Sequence, residues 1–201
     1  MSTLTQTSQP APVPNGDCYS PFRMSIDQYE RLVDSGVFTK RDKLQLVNGI
    51  LVNKVIQNPP HTVVDLRCRK ALERVITANW HVRPDKPVRL PPDGEPEPDQ
   101  CVVRGEELEY SDRHPGPADV GLLVEVADDS VAEDRKMGLT YGARGIAVYW
   151  IVNIPGRQVE VYTSPTSEGY DLARVYKMGD QVPVILDGIE VGRINVSDIL
   201  P

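Results

Sequence analysis

The sequence predicts an α/β domain, a mixed β-sheet flanked by α-helices and preceded by a short helix and a β-hairpin. Three observations carry that expectation. Asn48-Gly49 stands between two β-rich runs, LQLV and ILVNKV, the strongest short-range signature of a hairpin. Two continuous apolar runs, VGLLVEVA at 120–127 and IAVYWIVN at 146–153, read as buried strands. Stretches of helical period separate such runs, giving the order α-β-β-α-β-β-α-β-β.

Taken in order, residues 1–20 are polar and proline-rich without periodicity, and are expected to form a disordered tail ahead of one domain over 21–201. Ser25 and Gln28 make a capping-box pattern that starts a helix with Ile26, Tyr29 and Val33 on one face and Gly36 at its end. The hairpin follows over 44–56, closed by Pro59-Pro60, and is expected to join the mixed sheet. Val64, Cys68, Ala71 and Val75 lie at helical spacing and predict a helix over 61–80. Residues 83–98 are proline-rich, which confines regular structure to a short piece at 88–90. A strand at 99–103, a charged surface loop at 104–118 and the buried strand at 120–127 come next. Ser130 and Glu133 make a second capping box for a helix over 130–143. The strand at 146–153 turns at Pro155-Gly156 into another at 157–163. Short alternating stretches with turns at Gly179-Asp180 and Asp187-Gly188 end the chain.

A chain of 201 residues is long enough for one well-formed core. Its 40% hydrophobic and 25% charged residues are ordinary globular values. No apolar run approaches the roughly 18 residues that a spanning helix needs, so no membrane segment is expected. No secretory signal is visible, and Cys18, Cys68 and Cys101 are too widely spaced for a zinc site or a disulfide framework. A reducing cytoplasm is the expected setting. The net charge of −7 opposes indiscriminate nucleic-acid binding, because neutralising phosphates requires lysine and arginine. Any nuclease with this balance has to concentrate its basic residues locally.

Two acids stand out against this background. Glu125 interrupts a strand that reads as buried on both faces, where an ionised carboxylate is costly unless it is paired or bound to a metal. Asp99 follows Pro98 at a strand start, where a carboxylate can project from the sheet end. Carboxylates on neighbouring strands are a common way to hold a hard divalent cation through oxygen. On the following helix Ala132, Lys136, Leu139 and Ala143 share a face, so a packed face would carry Lys136 inward beside the two acids. Each signal has a plainer alternative: Glu125 paired with an arginine, Asp99 as a turn residue, Lys136 reaching solvent from a buried stem, His61 as a helix-start residue.

The order of these segments resembles the Uma2 family of the PD-(D/E)XK nuclease superfamily. It is carried by PD at 98–99, VEVA at 124–127, DRK at 134–136 and YGARGIAVYWIVN at 141–153 followed by RQVEVY, and it covers roughly 22–200. The resemblance implies a restriction-endonuclease-like sheet and a Mg²⁺-dependent endonuclease, Mn²⁺ being a possible substitute. Asp99 and Glu125 would hold the metal and Lys136 would assist water or phosphate. Gln45 and His61 would be auxiliary residues. DNA is the implied substrate, and a homodimer is expected because YWIVN and its neighbours offer apolar surface and two strands are to be cut.

Three departures bear on activity. The family's hairpin commonly reads ELIDGE, where this chain has QLVNGI, so Gln45 replaces an acid. The family's helix lysine stands four residues before the tyrosine matching Tyr141, whereas Lys136 stands five before it, a rotation of about 100°. EVADDS replaces EVxSPS. The alternative to an enzyme is therefore a catalytically decayed, dimeric binding or regulatory module on the same fold.

Overall fold

The computed structural model describes residues 20–38, 41–54 and 57–201. Nearly all of the expected tail lies outside these residues, as do positions 55–56 of the expected hairpin.

The first helix, α1 (Ile26–Asp34), begins with the capping box read from the sequence: the Ser25 hydroxyl accepts from the Gln28 N–H and the Gln28 side chain accepts from the Ser25 N–H. Its buried face is Ile26 and Tyr29, while Val33 is exposed. The hairpin is β1 (Leu44–Val47) and β2 (Ile50–Asn53). Asn48 and Gly49 both have positive φ, 48° and 77°, as a two-residue type I′ turn demands. This hairpin is a separate two-stranded sheet, not part of the main sheet as the sequence suggested. Its inward residue Leu46 packs with Ile26 and Tyr29 in a small core of its own. Its edge meets the proline-rich segment instead, Leu46 bridging Glu95.

Next comes α2 (Pro59–Val75), capped by the Asn58 side chain accepting from the His61 N–H. It stops five residues short of the expected end. Ile76 is extended, and Trp80 belongs to a strand that the sequence reading missed, β3 (Trp80–Pro84). Two prolines in 83–88 hid this strand; it lies at a sheet edge, where a missing N–H is tolerated. Residues 88–90 form no strand, but Val88 and Leu90 are fully buried.

The main sheet runs β3, β4 (Gln100–Arg104), β5 (Val120–Ala127), β6 (Val148–Asn153), β7 (Gln158–Thr166), β8 (Gly169–Lys177), with every strand beside its sequence neighbour. Only β5 and β6 are parallel, joined by the crossover helix α3 (Val131–Ala143). The second hairpin, β9 (Gln181–Leu186) with β10 (Ile189–Asn195), and the short α4 (Val196–Ile199) pack with α2 on one face of the sheet. The other face carries α3 and the 88–90 segment. Strand alternation divides β5 between them: Leu122, Val124 and Val126 face α2, whereas Leu123 and Ala127 face α3. All of Val148–Asn153 is buried inside one chain, so YWIVN leaves no apolar surface for a dimer.

Helix α3 is rotated from its expected orientation. Its buried residues are Gly138, Tyr141 and Gly142, and the face of Ala132, Lys136, Leu139 and Ala143 is exposed. A side chain at Gly142 would put Cβ 2.1 Å from the Gly169 carbonyl oxygen, and one at Gly138 would lie 3.1 Å from the Tyr149 ring. The helix thus docks through glycines, which hydrophobic periodicity does not count. The second capping box is also absent: the Ser130 hydroxyl donates to the Asp134 carboxylate at 2.6 Å.

Candidate functional site

The β4–β5 register pairs Gln100 with Val124, and one further step brings Asp99 opposite Glu125. The Asp99 N–H donates to Glu125 Oε2 at 3.1 Å, and the Val126 N–H donates to Asp99 Oδ2 at 2.7 Å. The two acids therefore sit side by side where the strands begin and end. Both line a cavity of about 580 Å³ enclosed by the hairpin, the start of α2, the end of β5 and α3. The Asn48 amide ties the hairpin to α3 by donating to the Thr140 hydroxyl at 2.9 Å.

Each carboxylate has further partners. Gln57 Nε2 donates to Asp99 Oδ1 at 3.0 Å, and His61 Nε2 lies 3.1 Å from Asp99 Oδ2. The Tyr141 hydroxyl donates to Glu125 Oε1 at 2.8 Å. Burial, and after it the charges of Asp99 and Asp134, push the Glu125 carboxyl well above its ordinary pKa; the donors Tyr141 and Asp99 N–H oppose that shift without cancelling it. Asp134, also on the cavity wall, is raised to about 6 by burial and by Asp99 and Glu133, against the Ser130 hydroxyl. Burial alone would lower His61, but the bond to Asp99 and the charges of Asp99, Asp65 and Asp85 outweigh it and raise it. Behind this layer buried Asp65, raised to about 6 chiefly by burial, accepts from Gln100 Nε2 at 2.5 Å.

Of the residues singled out from the sequence, Asp99, Glu125, Gln45 and His61 all line the cavity. Gln45 spends its side-chain oxygen on the Glu97 N–H, at 2.9 Å. Lys136 does not reach the cavity. It lies on the exposed face of α3, because the glycine face docks on the sheet, and Met137 occupies the wall instead. Its neighbour Arg135 binds Glu160 of β7 at 2.7 and 2.9 Å. Sequence reasoning missed Lys54, Gln57, Asp134 and the direct role of Tyr141. Of these Asp134 and Tyr141 stood in segments that carried the resemblance, DRK and YGARG; Lys54 and Gln57 converge from a separate segment.

The family model described as "Uma2: Putative restriction endonuclease" matches residues 26–197. A solved structure from Anabaena variabilis, described as a putative nuclease belonging to DUF820, is similar with a TM-score of 0.67. Identity is 13%, and the match covers 88% of this chain and 97% of that one, a likeness that establishes a shared fold. No curated protein matches the chain.

Proposed function

Because the chain belongs to the Uma2 family of restriction-endonuclease-like proteins, we propose that it hydrolyses DNA phosphodiester bonds with Mg²⁺, or Mn²⁺ in its place, held by Asp99 and Glu125. The observation that carries this reading is the register that sets Asp99 beside Glu125 on the wall of an open cavity. The donor set suits a hard cation, since Mg²⁺ is commonly bound by one or two carboxylates while water and substrate phosphate complete its shell. Among the described residues no three such side chains converge into a closed cage, so the reading takes this two-carboxylate form.

When bound, the cation would polarise a phosphoryl oxygen and acidify a coordinated water. The chain's own groups prepare the site. Tyr141 orients Glu125 through Oε1, and the Val126 N–H fixes Asp99 through Oδ2. Gln57 and His61 hold the remaining Asp99 positions and would release them to the ion. Calorimetric titration with Mn²⁺ tests the reading: wild-type protein should give a binding heat that Asp99→Ala loses. Equal heats from both would remove Asp99 from the metal site.

The second reading, a non-catalytic binding or regulatory module, is favoured by Gln45 and Met137, neutral residues where the resemblance places an acid and a lysine. Wild-type protein that binds Mn²⁺ yet leaves supercoiled plasmid intact would establish it. A homodimer is proposed under both readings. Its support is now the edge strand β8, whose Leu172 and Val175 are about half exposed, at 51% and 50%. Light scattering that returns the mass of a single chain would remove it.

A further inference from the structure

Seven acidic side chains line the cavity, and among the described residues Lys54 is the only lysine or arginine that does. A phosphodiester entering such a space meets strong repulsion, which one divalent ion offsets only in part. Lys136 lies on the exposed face of α3 away from the cavity, and Met137, which lines it, supplies no charge. Resting on the nuclease reading above, we infer that Lys54 has taken over the cationic role: its ammonium holds the scissile phosphate and stabilises the charge that develops there.

The geometry suits the task. Lys54 follows directly on β2, and its backbone N–H is pinned by the Lys43 carbonyl at 2.8 Å. Its Nζ lies 2.6 Å from Glu97 and 3.8 Å from Asp85, with 24% of the side chain exposed. Glu97 stands two residues before Asp99. Gln57 Nε2 donates to both Asp85, at 3.3 Å, and Asp99, at 3.0 Å. The acids that steer Lys54 are therefore joined to the acid that holds the metal. Partly exposed ion pairs of this kind contribute little net stability, so exchanging a carboxylate contact for a phosphate contact costs little. The end of the hairpin and α3 both line this one cavity. A lysine lost from the helix at Met137 can be replaced functionally by one on the hairpin at Lys54.

Four measurements on the full chain test this: thermal midpoint, Mn²⁺ affinity by calorimetry, binding of a labelled DNA duplex with Ca²⁺ in place of Mn²⁺, and nicking of supercoiled plasmid. Lys54→Met should keep the midpoint and the Mn²⁺ affinity, weaken duplex binding about tenfold and slow nicking at least about 100-fold, as loss of one charge-stabilising group does elsewhere. Adding Met137→Lys to that variant should restore part of both, while Lys136→Met should behave as wild type. Lys54→Met that binds duplex and nicks plasmid as wild type overturns the inference. So does a double variant as impaired as the single one, since the loss would then not be that of a positive charge in the cavity. Wild-type protein that leaves plasmid intact sinks the nuclease reading alone, and Lys54 is then judged by duplex binding.

Discussion

The main-chain N–H of Asp99 donates to the carboxylate of Glu125 at 3.1 Å, while the Asp99 carboxylate accepts the N–H of Val126, the next residue along. Each acid is thereby positioned by the other's strand. Sheet register, rather than side-chain rotamer alone, sets their separation. The Glu125 carboxyl shows the cost of burying charge there in its raised pKa.

Metal affinity should rise with pH. Burial, Asp99 and Asp134 favour protonated Glu125, and an ion has to displace that proton. Tyr141→Phe removes a donor that favours the charged form, so the pH at which Mn²⁺ affinity levels off should move upward. Calorimetry across the neutral range reads this directly; an unmoved profile would mean that the Tyr141 bond does not tune the site.

Replacing Asp99 by Asn should abolish Mn²⁺ binding and leave the fold intact. The amide oxygen can still accept the Val126 N–H that the carboxylate accepts now, and loss of the neighbouring charge relieves Glu125. Circular dichroism and a thermal melt should match wild type to within a few degrees, roughly 1 kcal/mol in a domain of this size. A collapsed melt would show that Asp99 acts chiefly in folding.

Gly142→Ala should be severely destabilising. The new methyl would stand 2.1 Å from the Gly169 carbonyl oxygen, a backbone atom that cannot rotate away, so α3 must lift from β8. Overpacking of this kind costs about 1–3 kcal/mol or more. Urea unfolding that shows an unchanged midpoint would refute the close docking of α3 on β8.

Glu160 should stabilise the fold at neutral pH and lose that effect in acid. Burial by itself would raise its pKa, but Arg135, Asn153, Tyr162 and Gln158 all donate to it and bring it down to about 2. With the folded value depressed below the ordinary 4.5, the contribution is full above that value and disappears as pH falls towards 2. Glu160→Gln should thus cost about 1.5–3 kcal/mol at pH 7, the range for hydrogen bonds to charged groups. The gap from wild type should close near pH 2 in urea titrations; a constant gap would assign the loss to packing.

The sequence by itself determined the elements with strong local codes. Asn48-Gly49 fixed a turn because both residues accept positive φ, and Ser25 with Gln28 fixed a helix start through paired bonds to free N–H groups. The apolar run of 120–127 fixed a strand buried on both faces, and its lone acid marked Glu125 as a residue needing compensation. Asp99 was legible beside it because a strand start leaves a carboxylate few other places to point. Tertiary structure alone decided which face of α3 is covered, for two glycines admit close backbone approach that no hydrophobicity pattern records, and this turned Lys136 outward and Met137 inward. It alone decided that the hairpin stands apart from the sheet and carries Lys54 to the same cavity as Asp99 and Glu125. Local codes act within a few residues, whereas the electrostatics of the cavity depends on which distant segments meet.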